Sequence, residues 1–380
     1  MAEWNKVKLG EIAFITSSKR IFAKEYQTEG IPFYRGKEII EKHNGNDVST
    51  ELYITRERYE EIKAKFDVPH PGDILLSSVG TLGVSWLVDE EEFYFKDGNL
   101  TWLRCNDKTT PEFLYLWLNS PEAQNQIDSM CIGSTQKALT IETLNKFDVT
   151  LPPLDVQKKI CEMIYPVSDK IKTNTAINRN LEEQVASLYK SWFIDFDLNG
   201  GVCPNDWEEA ILGDIADIGS GKRPPIKQNE KTKDICVPLV GAASIMGYTN
   251  EALYDSKILV TGRVGTHGVV QRFNERCWPS DNTLVITTSR YEFVNQILLN
   301  IDYKSMNRGS TQPLITQSDL KKIEIIMPTS EILDEFEKLA GGLMSNVEKN
   351  IKENVKLAEI RDALLPKLMS GELDVSDLEI

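Results

Sequence analysis

The stretch ICEMIYPVSDKIKTNTAINRNLEEQVASLYKSW, residues 160–192, decides how this chain is read. Its apolar positions Ile160, Ile164, Val167, Ile171, Leu181, Val185, Leu188 and Trp192 fall at alternating gaps of four and three. That is the seam of a helix packed along another helix. Asn174 and Asn178 interrupt the seam, and a polar residue there costs stability while fixing register. A shift of 176 residues finds the mate: Phe336, Ala340, Leu343, Val347, Asn350, Asn354, Leu357, Arg361, Leu364 and Leu368. Both asparagines recur, and Arg361 alone departs from the apolar pattern. The matched seams predict an intramolecular coiled coil whose register is set by Asn174, Asn178, Asn350 and Asn354.

Pro166 and the pair Gly341-Gly342 occupy matching places, and neither residue type favours a helix interior. The sequence therefore predicts a short helix, a break and a long helix in each copy. The long pieces span about Val167 to Phe193 and Leu343 to Met369, with Pro366 loosening the last turn of the second. Each is a rod of roughly 35–40 Å at 1.5 Å per residue.

Working outward, the repeat extends to the whole chain. Trp4-x-x-x-x-Leu9-Gly10-Glu11-Ile12-Ala13 recurs as Trp207-x-x-x-x-Leu212-Gly213-Asp214-Ile215-Ala216. SSKR at 17–20 faces GSGKR at 219–223, and Ile31–Tyr34 faces Val237–Val240. Val79-Gly80-Thr81-Leu82-Gly83-Val84 pairs with Val264-Gly265-Thr266-His267-Gly268-Val269, each a hairpin-like turn between strand-like runs. Gly133-Ser134-Thr135-Gln136 matches Gly309-Ser310-Thr311-Gln312. FDVTLPP and IEIIMP close each globular unit and lead into its seam helix, and LNGGVCPND is a linker after the first. The drifting offset makes the second unit some 27 residues shorter. Two equal halves sharing one coiled coil about a two-fold axis across the helices require those helices to run antiparallel.

Composition narrows the function. At 380 residues the chain is long for one domain. No apolar run approaches the roughly 20 residues of a membrane span, and the N-terminus has no signal-peptide core, so a cytoplasmic protein without membrane contact is expected. Six cysteines without C-x-x-C and three histidines build no zinc spacing, so no metal site is expected. The net charge of −15, from 58 acids and 43 bases, argues against nucleic acid taken alone. The span 207–327 is balanced, however, and holds Lys222, Arg223, Lys231, Lys233, Arg263 and Arg272.

Motifs of catalysis fail in turn. GSGK at 219–222 lacks the rest of a phosphate loop, with Ala216 in place of its first glycine and Arg223 after the lysine. Leu151-Pro152-Pro153-Leu154 lacks both defining side chains of an amino-methyltransferase motif. Glu61-x-Lys63 has no upstream Pro-Asp partner. The duplicated features hold no acid–base constellation, so no catalytic residue is assigned. What they hold are ligand-facing polar loops. Lys19, Arg20, Lys222 and Arg223 lie beside small residues that allow close approach to phosphate, or form solvated basic turns. Thr81, Leu82, Thr266 and His267 fall at exposed hairpin tips. Ser134, Thr135, Gln136, Ser310, Thr311 and Gln312 suit phosphates or base edges, or belong to helix caps ahead of Thr140 and Thr316.

LPPLDVQKKI (151–160), LYKSWFIDF (188–196), LLPKLMSGEL (364–373) and the paired tryptophan openings resemble the DNA-specificity subunit of Type I restriction–modification systems. The resemblance covers the whole chain; the second helical start departs from it, with Leu333 where Gln157 stands. It implies an α+β chain of two related α/β target-recognition domains joined by an antiparallel two-helix coiled coil with pseudo-two-fold symmetry. The segments would be 1–150 and 199–327 for recognition, and 151–198 and 328–380 for the helices. It further implies that each domain reads half of a split sequence in double-stranded DNA, the rod setting the gap. Such a rod approaches one turn of DNA, roughly 34–36 Å. This chain would carry no cofactor. Two modification subunits would supply S-adenosylmethionine and methylate adenine, and restriction subunits would use ATP and Mg2+. The competing reading is a non-enzymatic scaffold with duplicated protein-binding domains.

Overall fold

The computed structural model describes residues 4–130, 138–263, 268–303 and 315–376. The chain divides into two compact units, Met1–Asn174 with Lys352–Ile380, and Thr175–Ile351.

In the first unit, β1 (Asn5–Lys8) pairs antiparallel with β9 (Asp148–Leu151). Between them lie β2 (Ala13–Thr16), β3 (Ile31–Tyr34), β4 (Tyr53–Ile54), β5 (Ile74–Ser77), β6 (Ser85–Leu87), β7 (Tyr94–Phe95) and β8 (Leu100–Cys105). They form a four-stranded sheet in the order β2-β8-β5-β6 and a three-stranded sheet in the order β4-β3-β7. The central strand β5, ILLS, is buried at every position. Successive strand side chains face opposite ways. Ile74 and Leu76 therefore join a core with Phe113, Trp117, Ile160, Ile164 and Leu368, whereas Leu75 joins one with Tyr34, Trp86, Phe95 and Trp102. A strand with both faces covered reads as an unbroken apolar run, as this one does.

The second unit repeats the plan. Its strands are β10 (Glu208–Ile211), β11 (Asp217–Ser220), β12 (Val237–Val240), β13 (Ile245–Thr249), β14 (Ile258–Gly262), β15 (Val270–Phe273), β16 (Trp278–Pro279), β17 (Thr283–Thr287) and β18 (Glu324–Met327). The sheet orders β10-β18, β11-β17-β14-β15 and β13-β12-β16 match those of the first unit one for one. Even the mixed pairing is kept: β3 and β12 are each antiparallel to one neighbour and parallel to the other. The shortening has a clear origin. In the first unit the helices Gly36–His43 and Arg56–Phe66 flank β4. In the second, β12 turns directly into β13, closed by the Gly241 N–H donating to the Ser244 carbonyl at 2.8 Å.

Helices Leu154–Phe193 and Ser330–Met369 each run 40 residues. Within each unit the start of one packs along the end of the other, so the pair is antiparallel. In the first unit Ile160 and Ile164 meet Leu365 and Leu368. In the second, Val185 meets Ala340 and Met344, and the Trp192 and Phe336 rings lie 6.1 Å apart. Every seam position named from the sequence is buried or half-buried. Arg361 is half-buried and bonds the Asp362 carboxylate at 2.8 Å.

The anticipated breaks are absent: both helices continue through Pro166, Gly341, Gly342 and Pro366. Pro166 withholds an N–H from the carbonyl of residue 162, and Pro366 from that of residue 362. Pro166, Glu162, Pro366 and Asp362 are all exposed, so water can satisfy the orphaned carbonyls. The buried seam on the opposite face offsets the low local propensity.

Candidate nucleic-acid interface

Each domain ties the end of its central strand to two neighbouring segments by the same backbone relay. In the first, the Ser78 N–H donates to the Asn99 carbonyl at 2.8 Å, and the Ser78 carbonyl accepts from the Leu139 N–H at 2.9 Å. In the second, the Arg263 N–H donates to the Asn282 carbonyl at 2.8 Å, and the Arg263 carbonyl accepts from the Ile315 N–H at 3.1 Å. Sheet register supports the equivalence, since Leu76↔Thr101 and Ser77↔Leu100 match Thr261↔Leu284 and Gly262↔Thr283.

The basic loops are fastened to the same edge. Lys19 donates its backbone N–H to the Tyr94 hydroxyl at 2.7 Å, and Ser17 Oγ accepts the Gly98 N–H at 3.5 Å. In the second domain Gly221 N–H reaches the Thr283 carbonyl at 3.1 Å, and Lys222 N–H the Pro279 carbonyl at 3.0 Å. Trp278 Nε1 donates to the Lys222 carbonyl at 2.8 Å. Tyr94 and Trp278 hold matching places in β7 and β16, so an aromatic side chain pins each loop from below. Gly221 is required for close packing, because a Cβ there would meet the Ser280 and Pro279 carbonyl oxygens at 2.2 and 2.5 Å.

The cations differ in state. Lys19, Arg20, Lys222 and Arg223 are all exposed. Arg20 Nε bonds Asp97 Oδ2 at 2.8 Å, and Lys19 Nζ lies 4.6 Å from the centre of the Phe66 ring. Among the described residues no ion pair involves Lys222 or Arg223.

Thr81 sits exposed at the turn after β5, whose shape rests on the Ser77 hydroxyl donating to the Thr81 carbonyl at 2.6 Å. Gly83 has a φ of +76°, and a Cβ there would press on Ile127 Cδ1 at 2.9 Å. Leu82 is not at an exposed tip. It is half-buried against the first domain's core, where its side chain is removed from water. Ser134, Thr135, Gln136, Thr266, His267, Ser310, Thr311 and Gln312 lie outside the described residues. The caps beside them belong to Thr140 and Thr316, whose hydroxyls accept the N–H of Thr143 at 3.1 Å and of Asp319 at 3.2 Å. The seam asparagines meet in pairs: Asn174 Nδ2 donates to Asn354 Oδ1, and Asn350 Nδ2 to Asn178 Oδ1, both at 2.8 Å.

A second set of polar residues serves docking, a role that neither Gln157 nor Glu337 shows in the sequence. Gln157 is fully buried. Its Oε1 accepts from Thr109 Oγ1 at 3.1 Å and the Thr110 N–H at 3.0 Å, and its Nε2 donates to the Lys108 and Pro152 carbonyls. It thereby ties the start of helix Pro111–Leu118 to helix Leu154–Phe193. In the second unit Leu333 holds the matching place, and Glu337, one turn onward, takes over. Its carboxylate accepts the N–H groups of Glu292 and Phe293 at 3.1 and 2.9 Å, at the start of helix Tyr291–Leu299. Burial pushes the Glu337 carboxyl above its ordinary pKa, against the pull of those two donors. Arg272 completes the contact, bidentate to Glu292 at 2.6 and 2.7 Å and 3.8 Å from Glu348. Burial alone would lower the Arg272 pKa; the Glu292 hydrogen bonds, together with the charge interactions with Glu292, Tyr291 and Glu348, outweigh it and raise the guanidinium pKa.

Among the described residues no group of three or more His, Cys, Asp or Glu could hold a metal ion, and no helix is long and apolar enough to cross a membrane. What the fold and this edge define is a duplicated pair of α/β domains, each presenting basic and polar loops and each docked on antiparallel helices. The chain belongs to the Type I restriction modification DNA specificity domain family, whose model matches residues 1–183 and 204–360. It is similar to the MjaIX specificity subunit of Methanocaldococcus jannaschii, 25% identical over 418 aligned positions that cover 99% of this chain and 95% of that one. It is also similar to the HindI specificity subunit of Haemophilus influenzae, 24% identical, covering 69% of this chain and 77% of the relative. In fold it resembles the crystal structure of a Type I restriction-modification S subunit from M. genitalium, with a TM-score of 0.63, 17% identity and 96% coverage of both chains.

Proposed function

We propose that this chain is the sequence-specific DNA recognition subunit of a Type I restriction–modification complex, each domain reading one half of a bipartite target. The observation that carries this reading is the repeated relay, Ser78 between Asn99 and Leu139 and Arg263 between Asn282 and Ile315. It ties the end of the central strand, beside the basic loop, to the segment that leads into a helix cap in each domain. Phosphate-positioning cations beside hydrogen-bonding side chains are what duplex recognition requires. The relatives named specificity subunits, matched along nearly the whole chain in one case, support it and disfavour the scaffold reading.

On this reading the chain is non-catalytic. It assembles with two modification subunits that bring S-adenosylmethionine and methylate adenine, and with restriction subunits that use ATP and Mg2+. Partner surfaces add positive charge around the duplex, which reconciles a net charge of −15 with DNA binding. The globular segments 1–150 and 199–327 are the readers, and the helical segments 151–198 and 328–380 set the number of base pairs between half-sites. The test is to express the modification subunits with and without this chain and map methylated adenines across the host genome. A split motif that is methylated only when the chain is present supports the reading; a pattern indifferent to the chain overturns it.

A further inference from the structure

We propose that Arg263 is a DNA-phosphate contact which the second recognition domain has and the first lacks, making the second domain the electrostatic anchor. The proposal rests on the DNA-recognition reading above and deepens it.

Arg263 and Ser78 occupy one position in two copies of the same relay, yet their surroundings differ. Ser78 is buried, and its hydroxyl shares a hydrogen bond of 2.5 Å with that of Thr101 across the sheet. The counterpart of Thr101 is Leu284, fully buried and without a polar group. Nothing in the sheet therefore employs the Arg263 guanidinium. It is half-exposed, and among the described residues no ion pair involves it. The exposed Asp281 lies one residue from its backbone acceptor without pairing to it.

Its neighbours share its state. Arg263 binds the carbonyl of residue 282 from one side of β17, and Gly221 binds that of residue 283 from the other. Lys222 and Arg223 follow Gly221 directly, so three cations without an ion pair among the described residues flank the start of one strand. The backbones of Arg263 and Lys222 are each held through both the N–H and the carbonyl. The corresponding edge of the first domain carries Lys19, Arg20 and the half-exposed Lys96, which holds the place of Ser280. Arg20 is paired there with Asp97 at 2.8 Å, whereas Asp281, the acid of the matching turn in the second domain, forms no ion pair among the described residues. A half-exposed guanidinium on a fixed backbone, beside two further exposed cations, is suited to a polyanion's phosphates. Each cation that neutralises a phosphate releases counterions and steepens the salt dependence of binding by about 0.9 in log–log slope.

The experiment measures affinity of the complex of this chain with its modification subunits for a mixed-sequence duplex, between about 50 and about 200 mM salt. Arg263→Ala and Arg263→Gln are each expected to weaken binding and to lower the slope by about 0.9. Arg263→Lys is expected to keep the slope, and Arg276→Ala, at an exposed cation outside this edge, to change nothing. Two charge-removing variants guard against one failing to fold. A wild-type slope in both overturns the proposal. So does an unchanged slope with methylation relaxed at a single position, which would make Arg263 a base reader. If the wild-type complex itself binds without salt dependence, the DNA-recognition reading falls, and not merely the role of Arg263.

Discussion

The Asn174 carboxamide donates to that of Asn354 at 2.8 Å, and four residues further along one helix and back along the other Asn350 donates to Asn178 at the same distance. Equal steps in opposite directions fix an antiparallel register. Continued by one turn, that register sets Ile171 opposite Leu357, and by two turns Val167 opposite Arg361.

Register is tested by cysteine pairs. Ile171→Cys with Leu357→Cys is expected to cross-link under mild oxidation. Failure to link, with ready linking of Ile171→Cys to a cysteine at Leu364, would show a slipped register. Asn174→Leu alone is expected to destabilise by about 1–3 kcal/mol, because the half-buried Asn354 loses its donor. Denaturant midpoints measure this.

The continuity of helix Ser330–Met369 gives a second prediction. A Cβ added at Gly341 or Gly342 would meet nothing within 4 Å. Alanine at each is therefore expected to stabilise the protein by roughly 0.5–1 kcal/mol, the difference in helix propensity. Destabilisation would mean that the glycines serve a bend the structure does not contain.

These glycines and Pro166 mark where sequence reasoning went astray. The seam was legible because a seven-residue period with two matched asparagines survives any local irregularity. The breaks were misread because propensity is a local quantity, whereas Pro166 sits on the exposed face and tertiary packing decides. The duplicated basic loops were legible as pairs, and the fold gathers Lys19/Arg20 and Lys222/Arg223 at matching edges. Leu82 was not legible, since a leucine beside glycine in a turn can face either way. Gln157 was visible only as a mismatch with Leu333; Glu337, displaced by one turn, shares neither its position nor its chemistry.

Docking of the two domains therefore responds differently to mutation. Gln157→Leu removes the partners of the Thr109 hydroxyl, the Thr110 N–H and the Lys108 and Pro152 carbonyls around a fully buried position, and is expected to cost roughly 3 kcal/mol or more. A loss below about 1 kcal/mol in the denaturant midpoint would contradict the role drawn for it.

Glu337 introduces pH dependence. Its folded pKa is raised by burial, so its contribution to stability is present below the unfolded value of about 4.3 and is lost as pH rises through the folded value. Glu337→Gln keeps an oxygen for the N–H groups of Glu292 and Phe293 and does not titrate. The variant is expected to gain on wild type as pH rises through that window and to hold the gain above it. A variant that loses ground over the same range would mean that ionised Glu337 is stabilising.

The central claim is that each domain reads its own half of a split DNA target. The most direct measurement is to replace residues 207–327 with the equivalent span of another specificity subunit and map adenine methylation by the assembled complex. One half of the methylated motif should change to that of the donor while the other half stays as it was. Both halves changing together, or neither changing, would contradict the claim.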